Sequence, residues 1–408
     1  YEMCREHYPK LFERILQAIR DGQWIADGAM WVEPDTNLPS GESLVRQFLY
    51  GMRYFSQKLG VTAQTAWLPD TFGYSAALPQ ILAGFGLKGL TTQKIFWSYN
   101  DSESFPYHAF QWKGLDGTAI PCYLHMQYES FVDAKTLCRR WRERVCKDGS
   151  GDFLLPFGYG DGGGGPTRDD FEQIRREKDL QGVPKMRYEA PSDFFDTRKD
   201  MPAYCGELYF PCHRGTYTTQ AAIKQRNRQS ENALRSLELW AACAAWKGLR
   251  EYPAQTIEKL WKELLLNQFH DILPGSGIHE VYVEAHRRYD ALLSGARKET
   301  DAAQACIAGE EEGVTLFHAQ SCARRQVVAL DARFAQGAMT REGDVIPCTM
   351  AKDQALALLT LPPMGHLSLR PWKTDAPARQ VFVEKNADGY RLRNDCMEAV
   401  LNLRGELV

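Results

Sequence analysis

Trp67-Leu-Pro-Asp-Thr-Phe-Gly-Tyr-Ser75 is the stretch that decides the fold. Thr65-Ala-Trp-Leu68 reads as the end of a short apolar strand, Pro69 breaks it, and Asp70 is left at the strand's C-terminal mouth. Gly73 and Ser75 supply a turn, and Leu78-Pro-Gln-Ile-Leu82 restarts the chain as a helix. A carboxylate at the C-terminal end of a parallel strand is where α/β barrels and open α/β sheets place their chemistry. The plainer alternative is that Asp70 caps the helix that follows.

Working outward, the helix reaches Phe85 and Leu90-Thr-Thr-Gln-Lys94 forms a second strand, so the spacing predicts a parallel βαβ unit. Upstream, Pro9 to Asp21 has the stripe of a surface helix, and Gly28 to Asn37 is a strand-like run ending in a polar loop. Ser40-Gly-Glu-Ser43 opens a long helix through Leu59, ended by Gly60. Downstream, His108–Lys113 and Ala119–Leu124 flank the hairpin turn Asp116-Gly117. A helix from Ala134 to Cys146 leads to an expected strand, Asp152–Phe157, that delivers Gly160-Asp161-Gly162. Strand–helix alternation to about Tyr209 predicts an α/β barrel or sheet. Lys224–Trp246, Tyr252–Gln268 and Ile278–Leu293 are amphipathic helical runs with no strand between them, and beyond Gly313 the pattern turns to strands. The expected organisation is a multidomain α/β + α + β chain: an α/β catalytic domain over 1–215, a three-helix bundle over 216–308 and the start of a β-sandwich over 309–408.

The 408 residues exceed one ordinary domain, and 44% hydrophobic content is enough for a substantial core. A net charge of −3, with both signs mixed throughout, argues against a nucleic-acid surface. No apolar run is long enough to span a bilayer. Eleven cysteines without a C-x-x-C pair read as reduced thiols in a cytoplasmic protein. By the same token the sequon Asn100-Asp-Ser102 is taken as chance. The first residues open directly on helix-like sequence, and Leu401–Val408 reads as an unfinished hairpin, so an internal fragment is expected.

Taken together, Trp67–Ser75, Leu78–Leu82, Thr92-Gln-Lys94, Gly160-Asp-Gly-Gly-Gly-Gly-Pro166, His213-Arg-Gly-Thr-Tyr-Thr-Thr-Gln220 and Asn267-Gln-Phe-His-Asp-Ile-Leu-Pro-Gly275 resemble the retaining, zinc-dependent α-mannosidases of glycoside hydrolase family 38, in the branch shared by bacterial and cytosolic enzymes. The resemblance runs over essentially the whole chain. It implies a barrel of seven-stranded type, here without its first strand, and hydrolysis of terminal α-linked mannose from oligosaccharides by zinc-assisted double displacement. Retention needs two carboxylates about 5 Å apart. The resemblance makes Asp70 the nucleophile and a metal ligand, and His270 a second ligand. Asp161 is the candidate acid/base, with Asp152 in reserve; some relatives carry two adjacent acids where this chain has Asp161-Gly162.

Asp271 is implied as a contact to mannose hydroxyls and Lys94 as a basic residue near substrate; Phe72 and Trp97 can offer apolar faces and Tyr217 a hydrogen bond. The aromatic residues can equally be packing, and His270 can equally serve a helix dipole. Glu33, Asp35 and Asn37 either line the sugar site or finish a loop. The glycine run lacks the Lys-Ser/Thr of a phosphate loop and suits close approach of backbone to a sugar, or a plain surface turn. The family's other two zinc ligands come from a His-x-Asp pair, expected upstream of this fragment; with two ligands at most, the fragment should hold zinc weakly and not hydrolyse mannosides. The expected partner is a mannose-containing oligosaccharide, with no nucleic acid and no membrane; a homo-oligomer is left open. The rival readings are a metal-dependent carbohydrate deacetylase and a non-catalytic carbohydrate-binding fragment.

Overall fold

A computed structural model describes residues 1–97, 104–145, 151–161, 163–198, 200–309, 312–375 and 381–408. Gly162, Cys146 and the Asn100 sequon lie outside them. The chain divides into two units, Tyr1–Arg235 with Ala254–Ala296, and Ser236–Pro253 with Arg297–Val408.

The first unit opens with α1 (Glu2–His7), α2 (Pro9–Arg20) and α3 (Gly41–Tyr54). Ser40 caps α3 by accepting from the Ser43 N–H, and the helix runs on as a π turn over Phe55–Leu59 until Gly60, at φ 72°, stops it. Then come β1 (Thr65–Leu68), α4 (Leu78–Gly84), β2 (Gly89–Thr92), β3 (Ala109–Lys113), β4 (Ala119–Leu124), α5 (Ala134–Glu143), α6 (Arg168–Glu177), α7 (Pro191–Asp196) and β5 (Ala203–Cys205). They form one sheet in the order β1-β2-β4-β3-β5. β1, β2 and β4 are parallel, and β3 pairs antiparallel to β4 through the expected hairpin. The βαβ unit around Asp70 is therefore present. Phe48, Ala66, Leu68, Tyr74, Leu90 and Trp112 belong to its buried core.

Two expected strands are not strands. Gly28 to Asn37 makes single bridges to three different segments, Gly28 with Ala66, Thr36 with Tyr74 and Pro34 with Phe269, and so builds no ladder. Asp152 to Phe157 is irregular. The Tyr123 hydroxyl accepts from the Leu154 N–H at 3.1 Å and lies 3.3 Å from the Leu154 carbonyl, and Pro156 has no N–H to offer a neighbour.

Three helices follow, α8 (Ala221–Trp246), α9 (Ala254–Asn267) and α10 (His279–Ala308). Within the first unit Arg226 of α8 pairs with Asp290 of α10, and Arg288 of α10 pairs with Glu263 of α9 at 3.0 Å. α10 runs to Ala308, well past Leu293, where the helical run was expected to end. Gly295 faces Leu260, whose side chain lies 3.2 Å from where a Cβ would stand, so the glycine serves close helix packing instead of a helix end. Glu231, 5% exposed, accepts from the Ser40 N–H and the Ser43 hydroxyl at 2.7 Å each and from Gln268 at 3.4 Å, tying α8 to the start of α3.

The second unit is mostly β. β6 (Val314–His318), β7 (Arg324–Leu330), β8 (Ala338–Thr340), β9 (Val345–Ile346), β10 (Cys348–Ala351), β11 (Gln354–Leu361), β12 (Gly365–Pro371), β13 (Phe382–Asn386), β14 (Gly389–Arg393) and β15 (Glu398–Asn402) form antiparallel sheets. Sheets β10-β11-β7 and β6-β12-β8-β9 share one core, in which Ala355, Ala357 and Leu359 of β11 meet Leu369 of β12. Alternate residues of β11 point inward, as a strand with one buried face requires.

Candidate active site

Asp70 follows β1 and Pro69, two residues past the last ladder partner. It caps no helix: α4 begins after Ala77 with no side-chain cap. Beyond the ladder, the Asp70 and Thr71 N–H groups need other acceptors. Glu33 supplies them, Oε1 accepting from Asp70 N at 2.5 Å and from Thr71 N at 3.1 Å.

The 33–37 segment is stitched on both sides. Thr71 Oγ1 donates to the Pro34 carbonyl at 2.9 Å, and Thr36 Oγ1 donates to the Gly73 carbonyl at 2.8 Å. Asp35 N donates to the Gln268 carbonyl at 2.8 Å, and the Glu33 carbonyl accepts from His270 N at 3.2 Å. His270 Nδ1 lies 3.0 Å from the same carbonyl. The residues after α9 and those after β1 are thereby brought to one place. Asp35 is a turn former: its buried Oδ1 accepts from Asn37 N and Leu38 N. Asn37 donates to the Phe72 carbonyl.

One ligand atom each from Glu33, Asp70 and His270 lies within 4.8 Å of the others. Two carboxylates and an imidazole are a donor set that suits zinc. Sequence reasoning counted only Asp70 and His270 as ligands; it left Glu33 open between the sugar site and a loop end, and no local pattern announces its partners. Burial, with Asp70 adding repulsion, pushes the Glu33 carboxyl up to about 8 despite its hydrogen bonds.

Lys94 stands in the 3₁₀ turn after β2, 7% exposed. Its Nζ lies 2.9 Å from Asp70 Oδ1, a charge contact not aligned as a hydrogen bond. The same ammonium sits 3.6 Å from the Trp97 ring centroid and donates to the Tyr128 hydroxyl at 3.4 Å. Trp97 is half exposed and Phe72 buried. Phe72 packs on His213 at 4.5 Å and edge-on to His270 at 6.0 Å. Asp271 lies 3.5 Å from His270 Nε2 and accepts from Ser276 Oγ at 2.7 Å. Tyr217 ends the 3₁₀ stretch Pro211–Tyr217; burial, with the Asp35 charge adding, pushes its phenol up to about 12.

Asp161 is exposed, at φ 50°, in a loop held by Gly158 N to the Ser130 carbonyl and Tyr159 N to the Gly165 carbonyl. Gly160 stands against the Glu129 side chain, whose carboxylate would have to shift to admit a Cβ. Tyr128, which no sequence signal singled out, links this loop to Asp70: burial first, then Asp70, then Asp161 and Glu129 push its phenol well above the usual range. Asp152 is engaged elsewhere, in an ion pair with buried Arg198.

Residues 1–214 match the glycosyl hydrolases family 38 N-terminal domain, and residues 211–307 match the alpha mannosidase middle domain. Alpha-mannosidase 2C1 of Homo sapiens is 36% identical over 420 residues, covering 100% of this chain and 39% of its own length. Alpha-mannosidase of Saccharomyces cerevisiae is 39% identical over 310 residues, 72% of this chain and 28% of its own length. An alpha-mannosidase structure from Enterococcus faecalis V583 superposes with a TM-score of 0.73 at 19% identity, over 99% of this chain and 53% of that one. Fold and site define a multidomain α/β protein with an acidic strand-end centre. The chain belongs to glycoside hydrolase family 38. It spans well under half the length of the human and yeast relatives.

Proposed function

We propose that this chain carries the catalytic core of a retaining α-mannosidase that removes terminal α-linked mannose from oligosaccharides. The observation that carries the reading is the convergence of Asp70, Lys94 and His270, from three of the family-like motifs, at one end of the parallel strands. Under this reading the finer architecture is a barrel of seven-stranded type, without its first strand, over 1–215, a three-helix domain over 216–308 and the opening of a β-sandwich over 309–408. A cytoplasmic setting goes with it, supported by the free thiols of the described cysteines.

Asp70 acts as nucleophile on the anomeric carbon while Asp161 gives its proton to the leaving oxygen; Asp161 then takes a proton from water as the glycosyl–Asp70 ester is hydrolysed. Lys94 keeps the Asp70 carboxylate oriented between turnovers. Asp271 and Tyr217 offer polar contacts to sugar hydroxyls, and Trp97 and Phe72 offer ring faces. Asp70 and His270 would hold zinc, with two further ligands from a His-x-Asp pair outside this chain. When bound, zinc anchors sugar hydroxyls and favours ring distortion.

The test is an aryl-glycoside panel and metal analysis on the full-length protein and its Asp70→Ala variant. The expected result is α-mannoside turnover with bound zinc in the parent and loss of at least about 10³-fold in kcat in the variant. Deacetylation of an N-acetylated sugar without glycoside cleavage would replace this reading with the deacetylase one.

A further inference from the structure

We propose that Glu33 is a positioning residue that holds both halves of the centre, the strand end carrying Asp70 and the helix end carrying His270. The proposal rests on the α-mannosidase reading above, and its metal-binding arm stands apart from it.

The side chain acts on one half. Pro69 ends the β1 ladder, and Glu33 Oε1 takes the next two main-chain donors, Asp70 N at 2.5 Å and Thr71 N at 3.1 Å. The Thr71 hydroxyl lies 3.4 Å from the same oxygen. Both donors converge on one oxygen, which ties the two successive peptide groups to a single point. The backbone angles that aim the Asp70 side chain are therefore set by a residue 37 positions upstream.

The main chain of Glu33 acts on the other half. Its carbonyl accepts from His270 N at 3.2 Å and lies 3.0 Å from His270 Nδ1. A carbonyl can only accept, so Nδ1 carries the hydrogen and the lone pair is left on Nε2. Fixing the tautomer through the second ring nitrogen is how proteins orient a histidine toward a metal. The bridge between Pro34 and Phe269 keeps the two segments in register.

A direct ligand role fits less well. Oε1 is engaged by two N–H groups, and Oε2 lies 3.9 Å from Nδ1, the ring nitrogen that the Glu33 carbonyl already occupies. Glu33 thus stands behind the imidazole.

The experiment compares Glu33→Ala and Glu33→Gln in the full-length protein by three readouts: Zn²⁺ affinity from competition with a chromophoric chelator, kcat and KM on an activated aryl α-mannoside, and the melting temperature of the metal-free protein. Glu33→Ala should weaken Zn²⁺ binding and lower kcat by about 10–100-fold each, the range seen when partners of metal ligands are removed. KM should move by no more than about threefold, because the substrate contacts are elsewhere. Glu33→Gln keeps an oxygen that can accept both N–H groups and should recover most of the loss in both quantities. Equal loss of Zn²⁺ affinity in Glu33→Gln and Glu33→Ala would overturn the proposal in favour of a direct ligand. A drop in melting temperature with Zn²⁺ affinity and kcat unchanged would reduce Glu33 to a loop-stabilising residue. Should Glu33→Ala fail to fold, Glu33→Asp, which keeps the carboxyl group but is too short to reach both donors, must show the same kcat and Zn²⁺ losses. If the parent protein turns over no mannoside, the functional reading fails, while the Zn²⁺ affinities still decide the role of Glu33.

Discussion

Nζ of Lys94 lies 2.9 Å from Oδ1 of Asp70, with the lysine almost fully buried and the aspartate one quarter exposed. Removing one partner of such a pair leaves the other charge poorly compensated. The Trp97 face, 3.6 Å from the ammonium, adds a second attraction that holds the cation in place. Lys94→Met keeps the length and removes the charge, and it should lower kcat by about 10²-fold, the scale of losing one charge-stabilising group in an active site. Lys94→Arg should keep more activity than Lys94→Met. Steady-state rates on one activated aryl α-mannoside measure both; equal rates in Lys94→Met and the parent would show the ion pair to be idle in turnover.

Asp161 is tested by leaving group. As acid/base, its loss should cost far more on a poor leaving group than on an activated phenol, and azide should restore breakdown of the glycosyl–enzyme. Since Tyr128 feels both Asp70 and Asp161, Tyr128→Phe provides the companion measurement. Uniform losses across leaving groups without azide rescue would make Asp161 a loop residue.

Gly51 is where α3 meets the segment that carries Glu33. A Cβ there would stand 2.1 Å from the Ala29 carbonyl oxygen and 2.5 Å from Met30 C, and Ala29 itself sits at φ 64°. Backbone cannot swing aside as a side chain can, so Gly51→Ala should destabilise by about 2–3 kcal/mol. Urea midpoints of the metal-free protein would show it, and Zn²⁺ affinity should fall with them because the 33–37 segment is displaced.

His125 follows β4, fully buried, with its ring 5.0 Å from Trp67 and 5.2 Å from Tyr123. Burial, with repulsion from His108 adding, pushes its pKa down to about 3. An unfolded histidine titrates near 6.5. Between those values the unfolded chain takes up a proton that the folded chain refuses, so His125 makes stability fall as pH drops from about 6.5 toward 3. The slope from one proton is at most about 1.4 kcal/mol per pH unit. His125→Phe should flatten the acid limb of the urea stability profile relative to the parent, and parallel profiles would contradict this account.

Much of the first unit was legible because its signals are local. Strand, proline, turn and helix follow within Thr65–Leu82, and Asp116-Gly117 declares its own hairpin. The places where reading failed share a different physics. Asp152–Phe157 is as apolar as a strand, but a ladder needs a neighbour, and the Tyr123 hydroxyl meets the Leu154 main chain in its stead. The helix expected to end at Leu293 runs on through Gly295, where Leu260 fills the space a side chain would take.

By itself the sequence determined the βαβ unit, the position of Asp70 at a strand's mouth and the motifs that assign the chain to its family. Only the tertiary structure decided what Asp70 meets there. Its partners Glu33 and Lys94 lie in different loops, and the His270 imidazole reaches the Glu33 carbonyl across 237 positions of chain. Local periodicity records which side chains share a face of one element. It carries no term for how loops far apart in sequence converge, because that is set by packing of the sheet and helices beneath them.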